Sequence, residues 1–129
     1  MITNFEQITK EISGFETRVI MPLVVDMLKT KIGKGKATPN HQILLTVNFL
    51  LHPDIGAGCK NIISAARLRK VIAAIRVLGC IKGLCANSQG YFVAETKEEF
   101  LRCIISLDER IKSQLIVMEA MESQYTELY

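Results

Sequence analysis

Nine residues in the last third of the chain follow one another in alternating steps of four and three positions, a spacing that strongly constrains the fold. They are Phe100, Ile104, Leu107, Ile111, Gln114, Met118, Met121, Tyr125 and Leu128. Apolar residues repeated in this way over about four heptads form the seam of a long helix that pairs with another helix. Thr96 and Glu99 have the spacing of an N-terminal capping box. We therefore predict one helix over residues 96–129, roughly 50 Å long at 1.5 Å per residue.

The sequence is compatible with two arrangements of this helix. Four apolar residues beside the seam widen it and favour partial packing on the chain's own domain: Leu101, Ile105, Leu115 and Ile116. A helix of this length exceeds what a small domain covers, so residues 118–128 have nothing in the same chain to bury against. We therefore expect self-association into a homodimer, with the dimerisation residues Ile104, Leu107, Ile111, Met118, Met121 and Tyr125.

The clearest local pattern before the seam is a helix over residues 64–78. Ser64 is a favoured N-cap residue, and Gly79 is favoured just past the end of a helix. One face of this helix is apolar and is predicted to be buried: Leu68, Val71, Ile72, Ile75 and Leu78. The other face is small and basic and is predicted to point outward: Ala66, Arg67, Lys70, Ala73, Ala74 and Val77, flanked by Arg69 and Arg76.

Two further helices and a hairpin are predicted around this one. Residues 15–31 have helical apolar spacing, with Pro22 starting or kinking the helix and glycines in the basic loop 31–36 ending it. Thr38 is predicted as the N-cap of a helix of about 13 residues that stops before His52, and residues 54–58 form a turn. Residues 81–86 and 91–94 are predicted as two strands joined by a turn at 87–90, with Gly90 or Asn87 at positive φ.

The order helix, helix, basic helix, hairpin predicts a fold that is mainly α with a small β-hairpin. The predicted architecture is a winged helix-turn-helix followed by a long C-terminal helix. The expected domain division is a winged helix-turn-helix over residues 1–95, including an N-terminal extension, and the long helix over residues 96–129. At 129 residues the chain has room for one domain with a core plus this appendage.

Charge is sorted along the chain. Residues 27–94 contain ten basic residues and only Asp54 as an acid, a net charge of +9, whereas the remainder contains six basic and twelve acidic residues. A basic middle between acidic ends indicates a module that binds a polyanion. We predict duplex DNA binding, with the third helix in the major groove and the hairpin on the adjacent backbone. The expected DNA-binding residues are Lys34, Lys36, Ser64, Arg67, Arg69, Lys70, Arg76, Lys82, Asn87 and Gln89.

Several short motifs support this prediction by resemblance. Residues 38–43 (TPNHQI), 63–72 (ISAARLRKVI), 79–82 (GCIK), 88–94 (SQGYFVA) and 107–111 (LDERI) resemble small winged-helix proteins of bacteriophages and prophage-like elements, especially those of Bacteroides-type hosts. The resemblance covers residues 29–118 and implies a recognition helix at 64–78 and a wing at 81–94. It implies a phage or mobile-element protein that acts as a transcriptional regulator or a replication accessory. The glycine-rich turn at 56–58 departs from the pattern.

Other classes of function receive little support from the sequence. An alternative in keeping with the fold is a structural or adaptor phage protein whose winged helix contacts protein. No enzyme is expected, since His41 and His52 have no acid or nucleophile at a telling spacing. Cys80 and Cys85 lack zinc-site spacing, residues 31–36 do not match a phosphate-binding loop, and no metal or cofactor is expected. Without a membrane span, a secretory leader or a CxxC pair, the expected location is the cytoplasm of a bacterial host cell.

Overall fold

A computed structural model describes residues 12–51 and 62–129, so the turn predicted at 54–58 lies outside the described residues. Within these ranges the chain forms four α-helices and one hairpin. They are α1 (Met21–Leu28), α2 (Asn40–Leu51), α3 (Ala65–Leu78), β1 (Leu84–Asn87), β2 (Gly90–Val93) and α4 (Lys97–Leu128). The prediction of a mainly helical chain with a small hairpin and a long C-terminal helix is confirmed. None of the described helices combines the length and apolarity needed to cross a bilayer.

A π-helical segment, Glu16–Ile20, leads into α1, and Pro22 lies in the first turn of α1. Proline lacks the N–H that a helix interior uses, and here it falls where the π-helical turn gives way to the α-helix. One feature of the predicted helix is wrong: α1 ends at Leu28 and is followed by Lys29 in a right-handed conformation, without the glycine end predicted within residues 31–36. Phe15, the first residue of the apolar pattern, is 45% exposed.

The beginning of α2 also differs from the prediction. The carbonyl of Pro39 accepts from the N–H of Ile43 (3.2 Å), so Pro39 occupies the N-cap position expected for Thr38. Thr38 instead pairs its backbone with Tyr91 in β2, with both N–H···O distances 2.9 Å. Its hydroxyl donates to the carbonyl of Lys36 and caps nothing. Tertiary pairing thus overrides a local capping signal.

Asn48 ties α2 to the chain that enters α3. Its side chain is buried, and Oδ1 accepts from the backbone N–H of Ile62 (2.8 Å) and Ile63 (3.2 Å). Its Nδ2 donates to the carbonyls of Leu44 and Ile63. One buried amide therefore satisfies backbone groups on both elements, which fixes where α3 begins relative to α2.

Both predicted ends of α3 are confirmed. The Ser64 hydroxyl accepts from the N–H of Arg67, and Gly79 adopts the left-handed conformation at φ 72°. The predicted apolar face is buried except for Leu78, which is half-buried. Ala74 is wrongly predicted: it is fully buried instead of facing outward. It forms part of the hydrophobic core.

The hairpin pairs Leu84 with Val93 and closes at Asn87 and Gly90. On the other side of β2, the segment between α1 and α2 runs alongside it. Its contacts are the N–H of Gly33 with the carbonyl of Val93 (2.8 Å), and the Thr38 pairing with Tyr91. Gly90 has φ 130°, as predicted for one of two candidates, and a Cβ there would overlap the Thr38 carbonyl. Glycine is thus required where this segment crosses the hairpin.

The helix α4 spans 32 residues and begins at Thr96, whose hydroxyl accepts from the N–H of Glu99 at 3.2 Å. This confirms the predicted cap. No residue of α4 is buried, and its contacts with the rest of the described chain are concentrated on β1. The four residues expected to pack on the domain are 45–68% exposed, so this part of the prediction is wrong: Leu101, Ile105, Leu115 and Ile116.

Candidate nucleic-acid interface

The outward face of α3 is the centre of the candidate interface. Ala66 is exposed and Ala73 half-buried, so the middle of this face has no long side chain. Arg69 and Arg76, seven positions apart, lie along one side of the face, and Lys70 lies on the other. Small residues allow a helix backbone to approach base edges, and guanidinium groups bind guanine edges or phosphates. This combination of shape and charge suits a helix placed in the major groove.

Arg67 lies on the same helix but has a different environment. Its Nε donates to Oε2 of Glu16 at 2.9 Å, and its second guanidinium nitrogen contacts the other carboxylate oxygen. Hydrogen bonding to Arg67 is the main reason that the pKa of Glu16 falls from 4.5 to about 2, against the opposing effect of burial. The backbone N–H of Ser13 also donates to this carboxylate, at 2.8 Å. Arg67 therefore joins α3 to the N-terminal helical segment, which argues against its expected contact with DNA bases.

Two other expected DNA-binding residues have structural roles. The Ser64 hydroxyl caps α3, as described above. Asn87 closes the hairpin turn, because its Oδ1 accepts from the N–H of Gln89 (2.8 Å) and of Gly90 (3.1 Å). This leaves Ser88 and Gln89 exposed at the tip of the hairpin, where polar side chains can contact a phosphate backbone.

A cleft of about 510 Å³ lies between the hairpin and α4. Buried Phe92, together with Ala86 and Cys103, contributes its apolar lining. Its cations are Lys34, from the loop after α1, and Arg102 and Arg110 of α4. Across residues 12–51 and 62–129, these three cations form no ion pair. Even with the carboxylate of Glu99, which also lines it, the cleft therefore has an excess of positive charge beside the hairpin tip.

Arg102 and Arg110 are absent from the residues expected from the sequence. Both belong to the long C-terminal helix, which contains acidic and basic residues together, and both lie outside the basic range 27–94. Their eight-residue separation places them about 80° apart around the helix, on adjoining sides, so no local pattern identifies them as a pair. In the structure both line the cleft beside the hairpin.

A second cleft, of about 420 Å³, brings Arg76 and Lys82 together beside Phe100. Arg76 and Lys82 are both expected DNA-binding residues, and this cleft brings them together. Lys34 and Asn87 are joined by the larger cleft. Lys36 and Gln89 are exposed and line neither of these clefts.

The cysteines and histidines provide no chemical centre in the part of the chain that the structure describes. Burial raises the pKa of the Cys85 thiol to about 12, with a further contribution from its neighbour Cys103. Cys85 is therefore a protonated core thiol at neutral pH. His41 is exposed on α2, and no group of three metal-ligating side chains occurs in these residues.

No protein-family model, curated protein or solved structure matches this chain.

Proposed function

We propose that this chain is a non-enzymatic protein that binds duplex DNA as a homodimer. The observation that carries the proposal is the outward face of α3, where Arg69, Lys70 and Arg76 surround small residues on a helix capped at both ends. Such a face fits the major groove and carries side chains able to read base edges.

The arrangement around α3 supports a winged helix-turn-helix. Two helices precede α3 and a hairpin follows it, and the segment between α1 and α2 pairs with β2. In a protein of this class the third helix enters the major groove and the hairpin lies over neighbouring phosphates. Asn48 supports this role for α3, because it fixes the start of the helix against α2.

Electrostatics supports the same assignment. Residues 27–94 have a net charge of +9, of which Lys29 and Arg67 are paired with Asp26 and Glu16 from outside that range, and the remaining excess attracts a polyanion. The cleft beside the hairpin adds Arg102 and Arg110. Lys34, Arg102 and Arg110 suit contacts with phosphates, which give affinity without sequence preference. Arg69 and Lys70 are the better candidates for reading bases.

On the resemblance to small phage and prophage proteins, we propose that this activity serves transcriptional control or replication of a mobile element in a bacterial cell. The homodimer rests on α4. Its six expected dimerisation residues are 43–68% exposed, and a second copy would bury them: Ile104, Leu107, Ile111, Met118, Met121 and Tyr125.

A salt titration of binding to a labelled duplex tests the proposal. Counterion release through four phosphate contacts predicts a fall in affinity of about 100-fold between roughly 50 and 200 mM salt. Joint replacement of Arg69 and Arg76 by alanine should weaken binding at least about tenfold, as expected for loss of two charged contacts. Lys29→Ala is the matched control, because Lys29 pairs with Asp26 on α1 (3.0 Å).

A second candidate function is a structural or adaptor role in a phage assembly. The observation that favours it is Val77, an apolar residue 44% exposed on the outward face of α3. Exposed apolar residues on such a face suit contact with protein. Affinity for duplex DNA that is absent at low salt, or unchanged by salt, would exclude the first candidate and favour this one.

A further inference from the structure

One side of α4 faces the hairpin, and its residues differ from the apolar residues of the seam. Glu99, Cys103, Ser106 and Arg110 follow one another in steps of four, three and four positions, so they lie along the same side of the helix. All four line the larger cleft, whose volume is about 510 Å³. Two of them, Cys103 and Ser106, have small side chains, and the space of the cleft lies between them and the hairpin.

The interior of this cleft suits a small molecule better than the backbone of a duplex. Its apolar lining includes Phe92, which is only 2% exposed, and half-buried Cys103. Its volume lies in the range of pockets that enclose small ligands, roughly 300–1,000 Å³. Duplex phosphates can reach the exposed cations Lys34, Arg102 and Arg110 but gain nothing from an apolar lining. The flat ring of a small molecule does gain from it.

Glu99 adds a carboxylate to a cleft that otherwise contains cations. Its Oε1 atom is shielded from solvent and has no hydrogen-bond partner among residues 12–51 and 62–129. A buried oxygen without a partner favours a ligand that supplies an N–H donor, because the carboxylate only accepts hydrogen bonds. Arg102 and Arg110 favour an anionic group on the same ligand, since guanidinium groups bind phosphates and carboxylates strongly. The ligand therefore needs a donor and an anion.

The spacing along α4 limits how these two groups can be arranged in the ligand. At 1.5 Å per residue, Glu99 and Arg110 lie roughly 16 Å apart along the helix axis, with Arg102 between them. An amino acid cannot span this distance, because its ammonium and carboxylate groups share one carbon. A nucleotide places an amino group of its base and its phosphate at opposite ends of a flat ring and a sugar. The amino group of cytosine is a donor that carboxylates accept.

We infer that this cleft binds a single nucleotide whose base carries an amino group. The amino group donates to Glu99, the ring lies against the apolar lining at Phe92, and the phosphate binds Arg102, Arg110 and Lys34. This site goes beyond the proposed function, because it requires neither a duplex nor a second copy of the chain. The nucleotide is either a free molecule or an unpaired member of a strand, since both present the same groups.

Calorimetric titration of the full-length protein without DNA tests this inference. The probes are CMP, UMP, in which a carbonyl oxygen replaces the amino group, and cytidine, which lacks the phosphate. We expect CMP to bind with a Kd below about 1 mM, and UMP and cytidine at least about tenfold more weakly. AMP and IMP form a second pair with the same exchange of amino group for carbonyl. Equal binding of CMP and UMP, or no binding of either CMP or AMP at millimolar concentration, would overturn the inference.

Replacement of Glu99 tests the role of its carboxylate. Glu99→Gln supplies both a donor and an acceptor, so we expect it to abolish the preference for CMP over UMP while the phosphate is still bound. Glu98→Gln is the matched control, because Glu98 is exposed in the same turn and lines neither cleft. A preference unchanged in Glu99→Gln would show that another group reads the base and would overturn the assigned site.

Filling the cleft tests its position. Ser106 is exposed, so Ser106→Phe occupies part of the cleft without entering the core, and we expect CMP binding to fall at least about tenfold. Ser113→Phe is the control, because Ser113 lies seven positions further along the same side of α4 and lines neither cleft. Circular dichroism checks that both variants keep their helices. Binding of CMP to Ser106→Phe with wild-type affinity would overturn the inference.

Two comparisons identify the source of the nucleotide and separate this inference from the proposed function. Competition between CMP and a short unpaired oligodeoxycytidine distinguishes a free nucleotide, which binds more tightly than the strand, from a member of a strand, which binds less tightly when free. Titration with a labelled duplex is carried out separately. Duplex binding without binding of CMP or AMP overturns the nucleotide site alone, whereas nucleotide binding without duplex binding overturns only the proposed function.

Discussion

Arg67 of α3 and Glu16 of the N-terminal helical segment form an ion pair across 51 positions of sequence, with the Arg67 Nε and Glu16 Oε2 atoms 2.9 Å apart. Glu16 is buried and also exchanges hydrogen bonds with Ser13, whose hydroxyl accepts from the Glu16 N–H. One carboxylate thus caps the N-terminal segment and holds α3 in place. A helix that presents side chains to DNA needs such a rigid attachment.

The first prediction is that this pair makes stability depend on pH below 5. Because the pKa of Glu16 is lowered from 4.5 to about 2, its contribution is present above pH 4.5 and is lost as the pH falls toward 2. Glu16→Gln keeps a capping side chain and removes the charge, so we expect a loss of about 2 kcal/mol at pH 7, moderated by the partial exposure of Arg67. Urea unfolding of the wild type and the variant at pH 7, 4.5 and 3 measures this difference in the free energy of unfolding.

The difference between wild type and Glu16→Gln should shrink steadily from pH 4.5 to pH 3 if the charge is responsible. Asp26→Asn is the matched control, because Asp26 forms only an exposed pair with Lys29. Such pairs contribute little to stability. A Glu16→Gln deficit that stayed constant across this range would assign the effect to packing and contradict the electrostatic explanation.

The second prediction separates base reading from attraction. Arg69→Ala should reduce discrimination between DNA sites by about 1–3 kcal/mol if Arg69 makes a bidentate base contact, whereas Lys34→Ala should weaken all sites equally. Arg67→Ala should mainly lower the stability of the fold, because Arg67 binds Glu16. Competition binding with selected and scrambled duplexes at one fixed salt concentration distinguishes these effects. Uniform losses for Arg69→Ala and Lys34→Ala would restrict α3 to phosphate contacts.

A third prediction concerns the crossing of Thr38 and the hairpin. Gly90→Ala places a methyl group on the Thr38 carbonyl at a backbone φ of 130°, so it should separate this segment from the hairpin or unfold the domain, costing about 3 kcal/mol or more. Gly35→Ala is a suitable comparison, since a Cβ at Gly35 meets nothing within 4 Å. Thermal unfolding by circular dichroism reports both, and equal melting temperatures would refute the assigned crowding.

Asn48 is the subject of the fourth prediction. Asn48→Ala leaves the N–H groups of Ile62 and Ile63 without their side-chain acceptor, and leaving buried groups unpaired costs about 1–3 kcal/mol each. We expect a loss of about 3 kcal/mol in free energy of unfolding, measured by urea titration. Thr46→Ala on the same helix removes only a bond to the carbonyl of Gln42 and serves as the control. Equal small losses would show that Asn48 does not anchor α3.

The parts of the fold that could be predicted depend on signals close together in sequence. The caps Ser64, Gly79 and Thr96 each act on backbone within four residues, and the structure has all three. The hairpin is similarly local, because its turn joins adjacent strands. Short-range chemistry is sufficient to place such elements.

What the sequence could not predict depends on contacts between distant residues. Thr38 has the composition of an N-cap, but pairing with Tyr91 determines its conformation. The helical projection places Arg67 and Ala74 on the outward side of α3. In the structure Ala74 is buried and Arg67 half-buried, because neighbouring elements pack around more of the helix than its apolar face. The positions of Arg102 and Arg110 beside the hairpin likewise depend on where α4 leaves the domain. No local pattern contains this information.

The final prediction concerns the proposed dimer. Ile111 is 56% exposed in the middle of the seam and beyond Arg110, the last α4 residue lining the clefts. Ile111→Asp should therefore convert a dimer into a monomer, because a charge buried in a helix seam without a partner costs several kcal/mol. Removal of residues 118–129 should have the same effect, as it takes away four of the nine seam residues. Sedimentation equilibrium at several concentrations measures the change.

The fold of the domain should survive these changes, because no residue of α4 is buried and the core lies in the preceding elements. DNA affinity should fall, since a single winged helix contacts one half-site and pairing joins two. Lys112→Ala provides the control, because Lys112 pairs with Asp108 (2.9 Å) and lies outside the seam. If the intact protein sediments as a monomer at concentrations of tens of micromolar, a range where even a weak coiled coil would pair, the dimer and its two-fold-symmetric DNA site are both refuted.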